Sequence, residues 1–234
     1  MENLRRFWFY LTFIFLIALI SSTFAYVQFL RVKKARLGLV LNSGFEWSRE
    51  GNPCLPKDWF YSDRDELEEK DTLEWNYLPL SFERHWGSRA IIVNIPQMYK
   101  AGYAWIFSRA IRNPKSGHHK LVFYFKPHNL SRIGPKGTYG FVFIDYFKAN
   151  GTFIDDLAME FDEVQVRGYD ITDEQDWVLE LEDAGEGWKK IIARTSNPRQ
   201  GDFLRIALTF DCGDCSQVNE NSYIIYDDIL FIQG

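Results

Sequence analysis

The sequence predicts an all-β protein, a two-sheet sandwich of jelly-roll type, preceded by one N-terminal transmembrane helix. Three observations carry that expectation. Residues 7–30 contain no formal charge and are bounded by Arg5-Arg6 and Arg31. From Gly38 onward, short runs rich in β-branched and aromatic residues alternate with turn chemistry, without an amphipathic helical period. Aromatic residues make up 17% of the chain, a proportion common in all-β binding domains.

The apolar run comes first. As a helix, residues 7–30 would extend about 36 Å, enough to cross a hydrocarbon core of about 30 Å. Trp8, Tyr10 and Tyr26 near its ends suit the two membrane interfaces. A cleaved signal peptide with Ala25 before the cut is the competing reading, but the run continues through Val27, Phe29 and Leu30. The chain therefore divides into an anchor and linker over residues 1–36 and a β domain over residues 37–234. Four basic residues (Arg31, Lys33, Lys34, Arg36) follow the span and two precede it, which by the positive-inside rule alone would leave the domain in the cytoplasm.

Strand signals then follow in order. They are Arg89-Ala-Ile-Ile-Val-Asn-Ile95, Leu121-Val-Phe-Tyr-Phe-Lys126, Phe141-Val-Phe-Ile-Asp-Tyr-Phe147, Lys190-Ile-Ile-Ala-Arg194, Phe203-Leu-Arg-Ile-Ala-Leu-Thr-Phe210 and Tyr223-Ile-Ile-Tyr-Asp-Asp-Ile-Leu-Phe231. Asn113-Pro, Gly134-Pro, Asn150-Gly151 and Asn197-Pro198 mark turns between them. Glu66-Leu-Glu-Glu-Lys70 reads as one solvated helical turn. Tyr169–Trp177 with Glu180-Leu-Glu-Asp183 reads as an acidic, solvated loop.

The last strand poses a chemical question. Strand alternation places Asp227 on one face with Ile225, Ile229 and Phe231, taken as the core face. A buried carboxylate costs several kcal/mol by order of magnitude unless a cation or converging donors meet it. Glu46, after the glycine turn in Leu41-Asn-Ser-Gly-Phe-Glu-Trp47, is the candidate for the other half of a cation site. Backbone amides at the strand end are the alternative.

Charge narrows the partners. The chain carries a formal −5, and without residues 1–36 the domain carries −10 with no basic stripe, which argues against nucleic acid. Cys54, Cys212 and Cys215 are too few for a closed zinc site; any one disulfide leaves one thiol over. Asn129-Leu-Ser131 and Asn150-Gly-Thr152 are glycan acceptors only in an external compartment. No nucleophile elbow, zinc-binding His-Glu-x-x-His or phosphate loop is present, and the expectation is no enzyme.

Several pieces in sequence order resemble one family. Asn42-Ser-Gly-Phe-Glu46 with Pro56-Lys-Asp-Trp59, Gly87-Ser-Arg-Ala-Ile-Ile-Val93, Phe123-Tyr-Phe-Lys126, Tyr146-Phe-Lys-Ala-Asn-Gly151, Gly187-Trp-Lys-Lys190 and Tyr226-Asp-Asp-Ile229 resemble motifs of carbohydrate-binding modules. These are modules of the galactose-binding-like jelly-roll group, of the kind found beside xylanases and glucanases. The resemblance covers roughly residues 38–234. It implies a structural Ca²⁺ joining the first and last strands through Glu46 and Asp227 or Asp228, a role suited to a cation that takes six to eight oxygen ligands. Glu83 is the candidate third carboxylate.

It also implies a glycan site of ring faces and planar polar groups. On Tyr139–Phe147 the aliphatic set Val142, Ile144 is expected to face the core, leaving Tyr139, Phe141 and Asp145 toward a cleft. Tyr124, with Lys126 and His128, is expected to line a neighbouring strand, and Trp105 another. The functional expectation is a membrane-anchored, non-catalytic carbohydrate-binding module on the extracytoplasmic side, exported as such modules are. The alternative is a structural or interaction domain of a surface protein complex without a sugar ligand.

Overall fold

The computed structural model describes residues 10, 12–26, 40, 44–49, 52–61, 80–81, 83–87, 89–94, 106–112, 117–134, 137–170, 177–212 and 221–233. Fifteen strands lie among them. Three begin the domain: β1 (Ser48–Arg49), β2 (Asn52–Pro56) and β3 (Trp59–Tyr61). β4 (Leu80–Ser81), β5 (Ala90–Asn94), β6 (Ile106–Ser108) and β7 (Ile111–Arg112) follow. Long strands come next: β8 (His119–His128), β9 (Thr138–Phe147), β10 (Phe153–Phe161), β11 (Val166–Asp170) and β12 (Trp177–Gly185). β13 (Trp188–Thr195), β14 (Phe203–Cys212) and β15 (Tyr223–Gln233) close the chain.

The strands form two antiparallel sheets. One has seven strands in the order β11-β10-β9-β14-β6-β3, with β7 also on β14; the other has six in the order β12-β13-β8-β15-β5-β4. β1 and β2 pair separately. Period-two alternation explains the packing between the sheets. Val142, Ile144 and Tyr146 on β9 and Leu204, Ile206 and Leu208 on β14 face Leu121, Phe123 and Phe125 on β8 and Ile224 and Tyr226 on β15, all in one buried cluster. Gly140 makes room for the Phe161 ring: a Cβ there would stand 2.2 Å from a ring carbon. The Tyr226 hydroxyl, wholly buried, donates to the Thr209 carbonyl across the core (2.8 Å).

Two expectations need correction, and one strand, β10, was not foreseen. Glu180-Leu-Glu-Asp183 is no loop but part of β12, because Leu179 and Leu181 pack inward while Glu180 and Glu182 point out to Arg194 and Lys190 on β13. β10 is also a strand despite Asp155, Asp156 and Glu160. On β15 the alternation breaks. A bulge between Asp227 and Leu230, with Asp228 at φ 52°, puts Ile224, Tyr226, Ile229 and Phe231 in the core and leaves Ile225 and Asp227 on the outer face. Asp227 is nonetheless 0% exposed, because other groups cover it there.

Residues 12–26 are helical, and Tyr10 also has helical backbone. Among the described residues no helix is long and apolar enough to cross a membrane. The helix is apolar on every side: Phe13, Ile14, Phe15, Leu19, Ile20 and Phe24 are all exposed, Phe15 to 70%. The hydroxyls of Ser22 and Thr23 donate back to the Leu19 carbonyl at 2.9 and 2.8 Å. Glu66–Lys70, Trp105 and Cys215 lie outside the described residues, as do the side chains of Cys54 and Cys212.

Candidate functional site

The two sheets turn different outer faces away from the core. On the seven-stranded sheet, cross-strand register aligns Ala158, Phe143, Ala207 and Phe107 in one row and Asp156, Asp145 and Arg205 in the next. Asp145 (0% exposed) lies with its Oδ2 3.4 Å from an Nη of Arg205 (3% exposed). The guanidinium stacks over Phe107 at 3.9 Å and lies 4.7 Å from the Phe147 ring centre. Such a cation among rings gains both quadrupole attraction and charge pairing. Phe141 and Asp145 share this face, as alternation predicts. Phe141 is half-buried, whereas Tyr139, Phe143 and Asp145 are buried. Arg205 escaped the sequence reading; its signal was a lone cation alternating with Leu204 and Ile206 on a strand otherwise apolar.

The six-stranded sheet presents the other face. Tyr124 lies here, on β8, so it does not adjoin Phe141 and Asp145: β8 and β9 follow one another in sequence but belong to opposite sheets. Tyr124, Trp188, Ile225, Ala90, Ile92 and Tyr223 form a satellite cluster on this face. Residues 83–87, between β4 and β5, fold over it. The backbone N–H groups of His85 and Trp86 both donate to Asp227 Oδ2, at 3.0 and 3.2 Å. The Asp228 N–H donates to Asp227 Oδ1 at 2.9 Å, and His85 Nδ1 lies 3.1 Å from Asp228 Oδ2. The His85 ring stacks on Tyr124, centroids 3.7 Å apart, and meets Trp188 edge-on at 5.7 Å.

Backbone donors converge on the buried one of the two adjacent carboxylates. The positive ends of three N–H dipoles meet Asp227, which is how a buried carboxylate is normally made tolerable. The bulge supplies one donor and the 83–87 segment two. Among the described residues no group of three His, Cys, Asp or Glu side chains is arranged to hold a metal ion. Glu46 is buried beside Phe45, whose backbone has φ 54°. Asp227 thus accepts N–H donors on both of its carboxylate oxygens.

The pinned segment displays a ring and charges. The Trp86 side chain is 46% exposed although its backbone is anchored. The Arg84 Nε–H donates to the Gly87 carbonyl (2.7 Å), which tightens the turn. Beside it, Lys126 Nζ is ion-paired with Glu83 Oε1, and His128 Nε2 lies 3.7 Å from Glu83 Oε2. His128 stacks on Tyr223 at 4.1 Å. Burial pushes His128 below its ordinary pKa; Glu83 and Glu163 oppose that, and Lys126 adds to it. Trp86 was missed from sequence because nothing in a lone Trp before Gly tells an exposed ring from a core one.

No protein-family model matches the chain, and no curated protein matches it.

Proposed function

We propose that the sandwich is a non-catalytic carbohydrate-binding module, held at the extracytoplasmic face of a membrane by its apolar N-terminal segment. One observation supports the glycan reading above the rest. A half-exposed indole, Trp86, sits on a segment clamped to the sheet by Asp227 and flanked by Arg84, Glu83, Lys126 and the Tyr223–His128 stack. Sugars are bound by ring faces against their C–H surfaces and by planar polar groups against their hydroxyls. Clamping such groups beforehand lowers the ordering cost of binding.

The anchor rests on the helix at residues 12–26. It is apolar all round, as a membrane span is, and its Ser22 and Thr23 hydroxyls find acceptors within the helix. Placing the domain outside goes against the count of flanking basic residues and follows from the family resemblance. An impermeant thiol reagent on intact cells, applied to a variant with an engineered surface cysteine, tests it; protection until lysis would refute the placement.

A second reading has its own support. The aromatic and acidic face of the seven-stranded sheet is already buried, Asp145 and Arg205 included. That favours a structural or interaction domain in which this face is packing. A glycan array probed with the full chain in detergent separates the two: glycan binding that Trp86→Ala removes without a change in melting temperature supports the module. Absence of binding to any glycan supports the structural domain.

A further inference from the structure

We propose that His85 is a specificity-determining residue: its Nε2 accepts a hydrogen bond from one hydroxyl of the sugar ring that lies on Trp86. This face therefore favours a saccharide in which that hydroxyl is free and disfavours one in which it is substituted. The inference rests on the glycan reading above and deepens it.

His85 is held by its backbone, one ring nitrogen and both faces of its surroundings. Its N–H donates to Asp227 Oδ2 at 3.0 Å, and the N–H of Trp86 goes to the same oxygen at 3.2 Å. Its Nδ1 lies 3.1 Å from Asp228 Oδ2. The ring lies flat on Tyr124, with 3.7 Å between centroids and 16° between planes, and Trp188 meets it edge-on at 5.7 Å. Turning the ring over would break the Asp228 contact.

That contact decides what the other nitrogen can do. A carboxylate only accepts, so the proton of the neutral imidazole sits on Nδ1 and Nε2 keeps a bare lone pair. The two nitrogens point to nearly opposite sides of the ring, so Nε2 is turned away from Asp228. Among the described residues nothing bonds Nε2, and the side chain is 26% exposed.

Neighbouring cations are already engaged. Lys190 Nζ bonds Glu182 at 2.6 Å, and Lys126 is ion-paired with Glu83. A bare imidazole nitrogen calls for a donor from the ligand, and a sugar hydroxyl is one. Trp86 is the next residue, its Cα about 3.8 Å away, and its half-exposed indole offers the ring face. Because Asp227 sets both residues beforehand, little ordering cost falls on the ligand. An ether oxygen or a fluorine in place of that hydroxyl has no proton to give.

The test uses the full chain in detergent micelles and the tightest binder from a panel of xylo-, gluco- and galacto-oligosaccharides. Analogues carry fluorine in place of one hydroxyl at a time. One position should cost about tenfold in Kd, the loss of one hydrogen bond to a fixed acceptor. His85→Asn keeps an amide that can donate to Asp228 but removes the acceptor. It should bind the unmodified sugar about tenfold more weakly and no longer distinguish it from the fluorinated analogue. A side chain that only packs would lower the melting temperature and leave that discrimination as it was. Nitrogen NMR of the parent chain needs no variant: Nδ1 should carry the proton, and the sugar should shift the Nε2 resonance. A proton on Nε2 in the free chain, no costly position, or unchanged discrimination in His85→Asn would overturn the role of His85 while leaving the module reading intact. If no oligosaccharide binds the parent chain, the module reading falls and this role with it.

Discussion

Replacing Asp227 tests what closes the sandwich. Its carboxylate accepts the N–H groups of His85, Trp86 and Asp228 within 3.2 Å and is wholly buried. Asp227→Ala leaves three donors without their acceptor. At about 1.5 kcal/mol for each hydrogen bond to a charged group, with incomplete additivity, the loss is on the order of 3–5 kcal/mol. That is a large share of a typical domain stability of about 5–15 kcal/mol. Asp227→Asn keeps one acceptor oxygen and should cost less, about 1–3 kcal/mol. Urea unfolding followed by tryptophan fluorescence measures both, since the Trp86 segment is released when the clamp opens. Repeating it with a chelator and then with added Ca²⁺ separates the two accounts of this carboxylate. A calcium ion bound at Glu46 with Asp227 or Asp228 would stabilise by about 2.7 kcal/mol at a hundred times its Kd, so chelation must then lower the midpoint. The hydrogen-bond clamp requires that chelator and Ca²⁺ change nothing. A cost below about 1 kcal/mol for Asp227→Ala, or a chelator effect as large as the mutation, would refute the clamp.

Other consequences follow from individual contacts. Gly140→Ala drives a methyl against the Phe161 ring, 2.2 Å away, and should destabilise by about 1–3 kcal/mol through overpacking, read as a lower melting temperature. His119 is buried with Nδ1 2.6 Å from the Tyr146 hydroxyl, and burial, helped by Arg199 and His118, lowers its pKa from 6.5 to about 4. The unfolded chain therefore takes up a proton between pH 6.5 and 4 that the folded chain refuses. Stability should fall by about 3 kcal/mol over that window, and His119→Gln should flatten this part of the profile. Asp162 acts at lower pH. Burial would raise its pKa, but the N–H groups of Ile133, Val164 and Gln165 and the Gln165 side chain outweigh it and hold the pKa down. Its contribution is complete above the ordinary Asp range near 3.9 and is lost as the pH falls through the depressed value, which acid unfolding of Asp162→Asn should show. In Glu83→Gln, NMR titration should find His128 with a lower pKa than in the parent chain, because the Glu83 carboxylate raises it; an unchanged value would remove that contact from solution.

The β architecture was legible because period two is written plainly in Val142, Ile144 and Tyr146, all of which face the core. Charged strands were less so. In β12 the glutamates hid a pattern in which Leu179 and Leu181 still alternate inward; what mattered was the spacing of the leucines, not the density of charge. The candidate site exposes two deeper limits. Alternation gives the face of a side chain only within its own strand. Tyr124 and Phe141 both point away from the core, yet the chain crosses from one sheet to the other between them, and no local signal marks that crossing. Alternation also presumes an unbroken ladder. Asp227-Asp228 carries a bulge, with Asp228 in the left-handed region that aspartate tolerates better than most residues, and the break puts Ile225 outside and Ile229 inside where unbroken alternation would keep both on one face. The same two aspartates that made the strand look anomalous thus create the anomaly. One supplies the backbone bend and grips His85. The other collects the N–H groups that the bend and the 83–87 segment bring to it. Trp86 is displayed because this pair holds its backbone, so the chemistry of the site and the irregularity of the fold have a single origin.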